Sequence, residues 1–164
     1  MIKKPYELFN IDKINLKPLG ERINDLEIKN FYTLNSKIPE FNNPELELLC
    51  KKIKEIKLKK GKFILAMGAH VIRDGVSCYI IDLMKKGFIS HICFNGACVI
   101  HDFELALIGA TTENVAKYIK TGEFGMWKET GYINDYIKEG LKKIYGFGQS
   151  IGYAIFNNNF KYKE

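Results

Sequence analysis

The sequence predicts an α/β fold in which a parallel sheet carries flanking helices. Short apolar runs at Phe63–Met67 and Phe88–Phe94 each stop at a polar turn containing glycine. The segment between them is amphipathic and of helix length, which makes the whole a β-α-β unit. Such a unit places small and polar residues at the carboxyl ends of both strands, the edge of an open parallel sheet where small ligands bind. A third observation qualifies the first two: helix signals outnumber strand signals along the chain. A parallel sheet of two strands can neither cover both faces nor stand alone. The sheet is therefore expected to be incomplete here, finished by a second chain or by later residues of a longer protein, and the second is the expectation adopted.

Residues 1–43 carry Pro5, Pro18 and Pro39 among scattered asparagines with little sustained periodicity. They read as an extended N-terminal arm, with a short helix around Leu26–Tyr32. Asn43-Pro44 followed by Glu45 and Glu47 is a helix start: an N-cap, proline at the first helical position and acids in the first turn. Leu46, Leu49, Ile53 and Ile56 continue as an apolar stripe toward Lys59, and Gly61 breaks it before the first strand. Gly75 begins the next helix, with Val76, Ile80, Leu83 and Met84 inward and Gly87 at the C-cap position. After the second strand, His101–Ile108 reads as a helix ending at Gly109. Thr111-Thr112-Glu113-Asn114 opens another by threonine capping. A glycine-rich loop, Gly122–Trp127, precedes a helix over Tyr132–Ile144, and Ser150–Phe156 forms the last one. Residues 44–164 are thus read as the N-terminal half of one ligand-binding domain.

Composition narrows the function classes. A chain of 164 residues, 46% hydrophobic and 27% charged, has the make-up of one globular domain with a real core. No run approaches the roughly 20 apolar residues needed to cross a bilayer. The lysines of Met1–Pro5 are followed by no apolar secretory segment, so a cytoplasmic address is expected. Cys50, Cys78, Cys93 and Cys98 lack CxxC spacing, which argues against zinc or a disulfide framework. The net charge of +6 invites a nucleic-acid reading, but only Arg22 and Arg73 are arginines. The densest basic run, Lys51–Lys62, interleaves with apolar residues at helical spacing and reads as a solvated face.

The two turns hold the candidate chemistry. In Gly68-Ala69-His70-Val71-Ile72-Arg73-Asp74-Gly75, the small residues permit close backbone approach and the following helix offers N–H groups to a phosphate. His70 is either a ligand contact or acid–base group, or a turn histidine bonded to backbone. Arg73 either faces a pyrophosphate or pairs with Asp74 or Asp82. In Asn95-Gly96-Ala97-Cys98-Val99-Ile100-His101-Asp102, the Asn95 amide can hold a ribose or amide group. His101, at the loop-to-helix junction, is the better catalytic candidate, while Asp102 is either its acid–base partner or a helix cap. Cys98 reads as packing before nucleophile. Glu123–Thr130 is either a loop over the ligand or a packed connection around the lone tryptophan.

The blocks Met67–Ile72, Asn95–Ala97 and Ile100–Gly109, with Thr121–Thr130 continuing the match, resemble the deoxyhypusine synthase superfamily over roughly Phe63–Ile155. The likeness is closer to deoxyhypusine synthase-like proteins than to the enzyme itself. It implies a Rossmann-like parallel sheet that binds NAD, a homo-oligomer, and cofactor contacts at Gly68, Ala69, His70, Arg73, Asn95, Gly96 and Ala97. In the enzyme, NAD takes a hydride from spermidine, and a lysine carries the butylamine fragment to a second lysine. The two adjacent acids that hold the polyamine correspond to Ile100 and His101, and only Asp102 keeps the acid that follows them. Losing two anionic partners argues against spermidine. The lysine-bearing motif has no counterpart in the chain. The implied function is an NAD-dependent transferase or dehydrogenating enzyme for an amine or other small metabolite, with His101, His70 and Asp102 as catalytic candidates. The competing reading is a non-catalytic ligand-binding or assembly module that needs a second chain to complete its sheet.

Overall fold

A computed structural model describes residues 10–163; the Met1–Pro5 segment read for secretion lies outside the described residues. In chain order the elements are β1 (Asn24–Glu27), α1 (Pro44–Leu58), β2 (Ile64–Met67), α2 (His70–Arg73), α3 (Ser77–Lys85), β3 (His91–Phe94), α4 (Gly96–Ile108), β4 (Ala110–Glu113), α5 (Val115–Tyr118), α6 (Tyr132–Leu141) and α7 (Phe147–Asn157). The protein is α/β: β2 and β3 form a parallel pair, Ile64 opposite His91 through Met67 opposite Phe94, with helices around it.

The second sheet was not expected. β1 pairs antiparallel with β4, Leu26 opposite Thr111 and Glu27 opposite Ala110. Thr111–Asn114 therefore does not open a helix. Asn114 instead caps α5, its side chain accepting from the Lys117 N–H. Local capping chemistry lost to a ladder partner far away in sequence, and the β-branched Thr111 suits the pleated strand. The same pairing replaces the helix expected around Leu26–Tyr32 by β1 and a single 3-10 turn, Ile28–Asn30. It also builds the supposed arm into the fold, since Leu19 and Arg22 are both buried.

Helix α4 is the structural centre. It buries Cys98, Val99, Phe103, Glu104, Leu105 and Ala106, and leaves only Ala97, Ile100 and Asp102 exposed. Val99, Phe103 and Ala106 pack with Ile133 of α6, Ile151 of α7 and Phe160. Cys98 and Leu105 pack with Ile72 and Met67 at the parallel sheet. Leu107 and Ile108 reach Leu19, Tyr118 and Trp127. Gly109 ends α4 at φ +71, and a Cβ there would stand 2.7 Å from the Tyr162 ring.

The parallel pair is covered on one side only. Leu65, Met67 and Ile92 are half-buried and look toward α3, whereas Ile64, Ala66, His91 and Cys93, on the opposite face, are exposed. Ile64 is 60% exposed, unusual for a parallel strand. The stripe of α1 is equally bare at its start: Asn43 caps the helix as expected, but Leu46 is 44% exposed and Leu49 49%. The apolar pattern formed the helix, yet no described element covers that end of it.

Boundaries shifted elsewhere for identifiable reasons. The turn after β2 contains its own helical turn, α2, so the next helix starts at Ser77 rather than Gly75. The helix expected over Tyr132–Ile144 stops at Leu141, and Ile144 adopts φ +59. The last helix is longer than expected, because Phe147 and Ser150 pack onto neighbouring helices.

Close approach of α6 and α7 rests on Gly140, where a Cβ would fall 1.9 Å from Ser150 Oγ. Gly140→Ala is expected to cost about 3 kcal/mol, the upper part of the overpacking range. Gly152→Ala, at a position with open space in α7, should instead stabilise by about 0.5–1 kcal/mol through helix propensity. Urea midpoints at constant m-value check both.

Candidate functional site

The carboxyl ends of β2 and β3 open into α2 and α4, so both expected turns lie at one sheet edge. Asn95 is the N-cap of α4: its Oδ1 accepts from the Cys98 N–H at 3.3 Å. Helix α4 thus begins at Gly96, not at His101, and two expectations fall with that. His101 sits in the second turn of the helix rather than at a loop junction. Asp102 does not cap, because the cap position already belongs to Asn95. Gly96 is not bare for a ligand either, since Phe147 of α7 lies 3.3 Å from where its Cβ would be. Gly68, by contrast, faces open space. Ala69 is half-buried in the cluster around Ile72, and Ala97 is exposed on the first turn of α4.

Beneath these turns runs a polar network that ties β1 to α4. Arg22 grips Glu104 through two parallel bonds, Nη1 to Oε1 at 2.7 Å and Nη2 to Oε2 at 2.6 Å. Both side chains are 3% exposed. Thr111 Oγ1 donates to Glu104 Oε2 at 2.7 Å, and Thr130 Oγ1 to Oε1 at 3.3 Å. Four donors therefore occupy the acceptor sites of one carboxylate, which is how a buried ion pair avoids orphaned charge. Arg22 Nε is bonded to Asn24 Oδ1 at 2.7 Å, and its guanidinium lies 5.7 Å from the Trp127 ring centre.

That network sets the state of His101. Its Nδ1 lies 2.7 Å from Thr111 Oγ1. The single hydroxyl proton of Thr111 goes to Glu104, so Thr111 can only accept from the imidazole. Nδ1 carries the hydrogen and Nε2 keeps a lone pair. Burial lowers the His101 pKa from 6.5, opposed by Glu104 and reinforced by Arg73, Arg22 and His70. A neutral imidazole with an acceptor nitrogen is the form a general base needs. Thr112, next to the relay, is held at φ +65 with its buried Oγ1 unbonded among the described residues. A β-branched residue in that region stores strain beside the network.

From the first turn come a histidine and an arginine. His70 and Arg73 are exposed, and neither forms a hydrogen bond through its side chain or an ion pair among the described residues. Of the two carboxylates expected to hold Arg73, Asp82 pairs with Lys86. The helix that carries both, α2, packs on α4 through Ile72 against Cys98 and Leu105, so His70 and Arg73 stand at the same sheet edge as the α4 helix that holds His101. Asp102 looks elsewhere: with Cys98 one turn earlier it borders an apolar cavity under α3, and desolvation raises its carboxyl pKa. Cys98 is buried and packs against Ile72 and Leu105. Among the described residues no His, Cys, Asp and Glu group could hold a metal.

The Glu123–Thr130 loop proves to be a packed connection. Trp127 is buried edge-on against Tyr118 at 5.0 Å, and its Nε1 donates to Glu113 Oε1 at 2.7 Å. Glu123 pairs with Lys17, and Glu129 accepts from the Leu19 N–H.

Residues 47–144 match the family model described as arginine dihydrolase ArgZ-like, C-terminal, Rossmann fold. That stretch is more than half of the chain. The protein belongs to the ArgZ-like C-terminal Rossmann family. No curated protein and no solved structure matches it. The matched stretch contains both turns, Glu104 and Thr111. It does not contain Arg22, so in this member of the ArgZ-like family the central ion pair joins the matched domain to the segment preceding it. Sequence reasoning missed Arg22, Glu104 and Thr111. Arg22 did carry a signal, being one of only two arginines in a lysine-rich chain.

Removing one member of the pair leaves a buried charge alone, so Arg22→Met or Glu104→Leu should each cost about 3–5 kcal/mol. The double variant should lose far less than their sum, as a double-mutant cycle on urea unfolding would read. His101 also predicts a pH effect. Its folded pKa is below 6.5, so its stabilisation is complete above 6.5 and disappears as pH falls from 6.5 through the lowered value. His101→Gln should flatten the stability profile in that window. Asp102 acts oppositely, since its raised pKa costs stability as pH rises from 3.8 through the folded value.

Proposed function

We propose that the domain binds NAD at the two turns and belongs to an enzyme that removes hydrogen from an amine or other small metabolite, in the manner of a deoxyhypusine synthase-like protein. The observation that carries this is the placing of His70, Arg73 and His101 at the strand-end edge: an exposed arginine and an exposed histidine without side-chain partners among the described residues, beside an imidazole whose Nε2 keeps a lone pair. The residues fit the cofactor. Gly68 leaves room for a backbone approach, and Arg73 with His70 offers charge-assisted bonds to a pyrophosphate. Cofactor contact at Asn95 and Gly96 is more restricted, since the Asn95 carbonyl caps α4 and Phe147 covers Gly96. Ala97, exposed at the first turn of α4, remains accessible there.

Bound NAD would supply the hydride acceptor. The chain itself supplies a base: His101 Nε2 receives the substrate proton, while Thr111 and Glu104 hold the ring in the tautomer that makes this possible and lower the cost of the imidazolium that forms. The family description names an arginine dihydrolase, a protein whose substrate bears amino nitrogen, which supports an amine. Spermidine remains disfavoured, because Ile100 and His101 stand where the resemblance places the two acids that hold a polyamine.

One observation favours the second reading, a non-catalytic module completed by another chain. Ile64, Ala66, His91 and Cys93 lie bare on one face of the parallel pair. A second copy covering that face is compatible with the enzyme as well, and a cytoplasmic homo-oligomer is the proposed state.

Calorimetric titration with NAD tests the reading. Binding should weaken about 10-fold or more in Arg73→Ala, through loss of a charge-assisted bond. His101→Ala should leave NAD affinity nearly intact and abolish substrate-dependent reduction. No heat and no thermal shift at millimolar NAD would remove the cofactor assignment and leave the module.

A further inference from the structure

Helix α1 is fifteen residues long and buries none of them. Its carboxyl end is held: Lys57 Nζ donates to the Lys86 carbonyl at 2.6 Å and lies 4.0 Å from the centre of the Phe88 ring. Its amino half stands free, with Leu46 and Leu49 exposed. A helix of this length is marginal in water, and in proteins its stability comes from packing an apolar face. The stripe of α1 therefore needs a cover, and no described element provides one.

A second bare surface lies on the same chain. Ile64 stands opposite His91 and Ala66 opposite Cys93 across the parallel pair, so the four share one face, and all are exposed. The two surfaces are complementary in form. Parallel strands are normally covered by helices, and one helix, roughly 10 Å across, spans two strands about 5 Å apart. They match in polarity as well, since Leu46, Leu49, Ile64, Ala66 and Cys93 bring no charged group, and the centres of interfaces are depleted in charge. The area is ample. The chain exposes 12419 Å², about half as much again as the roughly 8,300 Å² of a compact monomer of 18.9 kDa. A standard interface takes about 800 Å² from each partner.

We propose that two copies of the chain pair through these surfaces, the α1 stripe of each lying on the exposed face of the other's parallel pair. One chain carries both halves of such an interface, so a two-fold axis closes it and leaves no open end for further copies. Each copy covers in its partner what its own fold leaves bare. The pairing gives the proposed homo-oligomer its contact surface. It uses neither turn at the strand ends, so it holds or fails independently of NAD, and its test uses none.

Two native thiols report the contact, because Cys50 is exposed on α1 and Cys93 on the bare strand face. The full chain is prepared as Cys50→Ser and as Cys93→Ser, each with Cys78→Ser to silence a third thiol, and the two are mixed and treated with a short bismaleimide. In that mixture a Cys50–Cys93 link can form only between chains, and a covalent dimer carrying it is expected. The untreated full chain is expected to sediment as a dimer at micromolar concentration. Ile64→Lys, at a side chain 60% exposed in the single chain, should keep the circular dichroism of the fold and weaken the dimer about 100-fold, by setting a charge into an apolar contact. Leu49→Ser should weaken it from the other half of the contact. A monomer at micromolar concentration, a mixture without the Cys50–Cys93 link, or a dimer unchanged by both substitutions would each overturn the proposal.

Discussion

The Arg22–Glu104 pair is the constraint on which the rest of the molecule depends. A charge pair 3% exposed on both sides is not a cheap way to gain stability, because desolvating two ions costs several kcal/mol each. What it provides is geometry. The guanidinium fork fixes Glu104 in one plane, and Thr111 and Thr130 then take the remaining acceptor positions. Because Thr111 belongs to β4 and Arg22 just precedes β1, the pair locks the antiparallel ribbon onto α4 in one register. The imidazole of His101 inherits its tautomer from that register. A slip of β4 by one residue would turn Thr111 away and give His101 a different partner. Structure and proposed chemistry therefore share one origin.

The second organising feature is where the core lies. In an open α/β domain the parallel sheet is normally the interior. Here the interior is α4, which meets α6 and α7 on one side, the ribbon and Trp127 on another, and the ends of β2 and α2 on a third. The parallel pair is peripheral, touching this core only through Met67 and its neighbours. That explains two facts together. One face of the pair is bare, since nothing among the described residues packs on it. The other face is loosely filled, since α3 stands over it across a cavity rather than being pressed down by further layers. An element at the rim of a core is where open space for ligands survives.

Much of the backbone pattern was legible in the sequence, and the reason is local. Asn43-Pro44 capped α1, the two apolar runs became β2 and β3, and Gly87 and Gly109 ended helices with positive φ. Each of these is decided by a few neighbouring residues. What failed was decided at a distance. Thr111–Asn114 has the local chemistry of a helix start, yet β1 claimed it as a strand from far away in the chain. His101 was placed at the loop-to-helix junction but lies in the second turn of α4, and its partner Thr111 was invisible while the threonines were read as caps. Arg22 and Glu104 are separated by 82 positions, and no periodicity links them. Asp102 could be noticed as an acid beside a histidine, but not as the rim of a cavity whose far wall comes from α3.

These distances bear on where the domain begins. The family match starts at residue 47 and composition places a boundary near residue 43, so both describe a unit beginning at α1. Physical chemistry draws the line earlier. Cut at residue 43, the fold would keep Glu104 buried in α4 with its guanidinium partner gone, Thr111 without its ladder, and Trp127 and Tyr118 without Leu19 between them. The first loss alone, of order 3–5 kcal/mol, is comparable to the lower range of whole-domain stability. The segment from Lys17 to Glu27 is consequently part of the folding unit and of the site. It supplies no group at the sheet edge, yet the orientation of His101 there depends on Arg22 through Glu104 and Thr111.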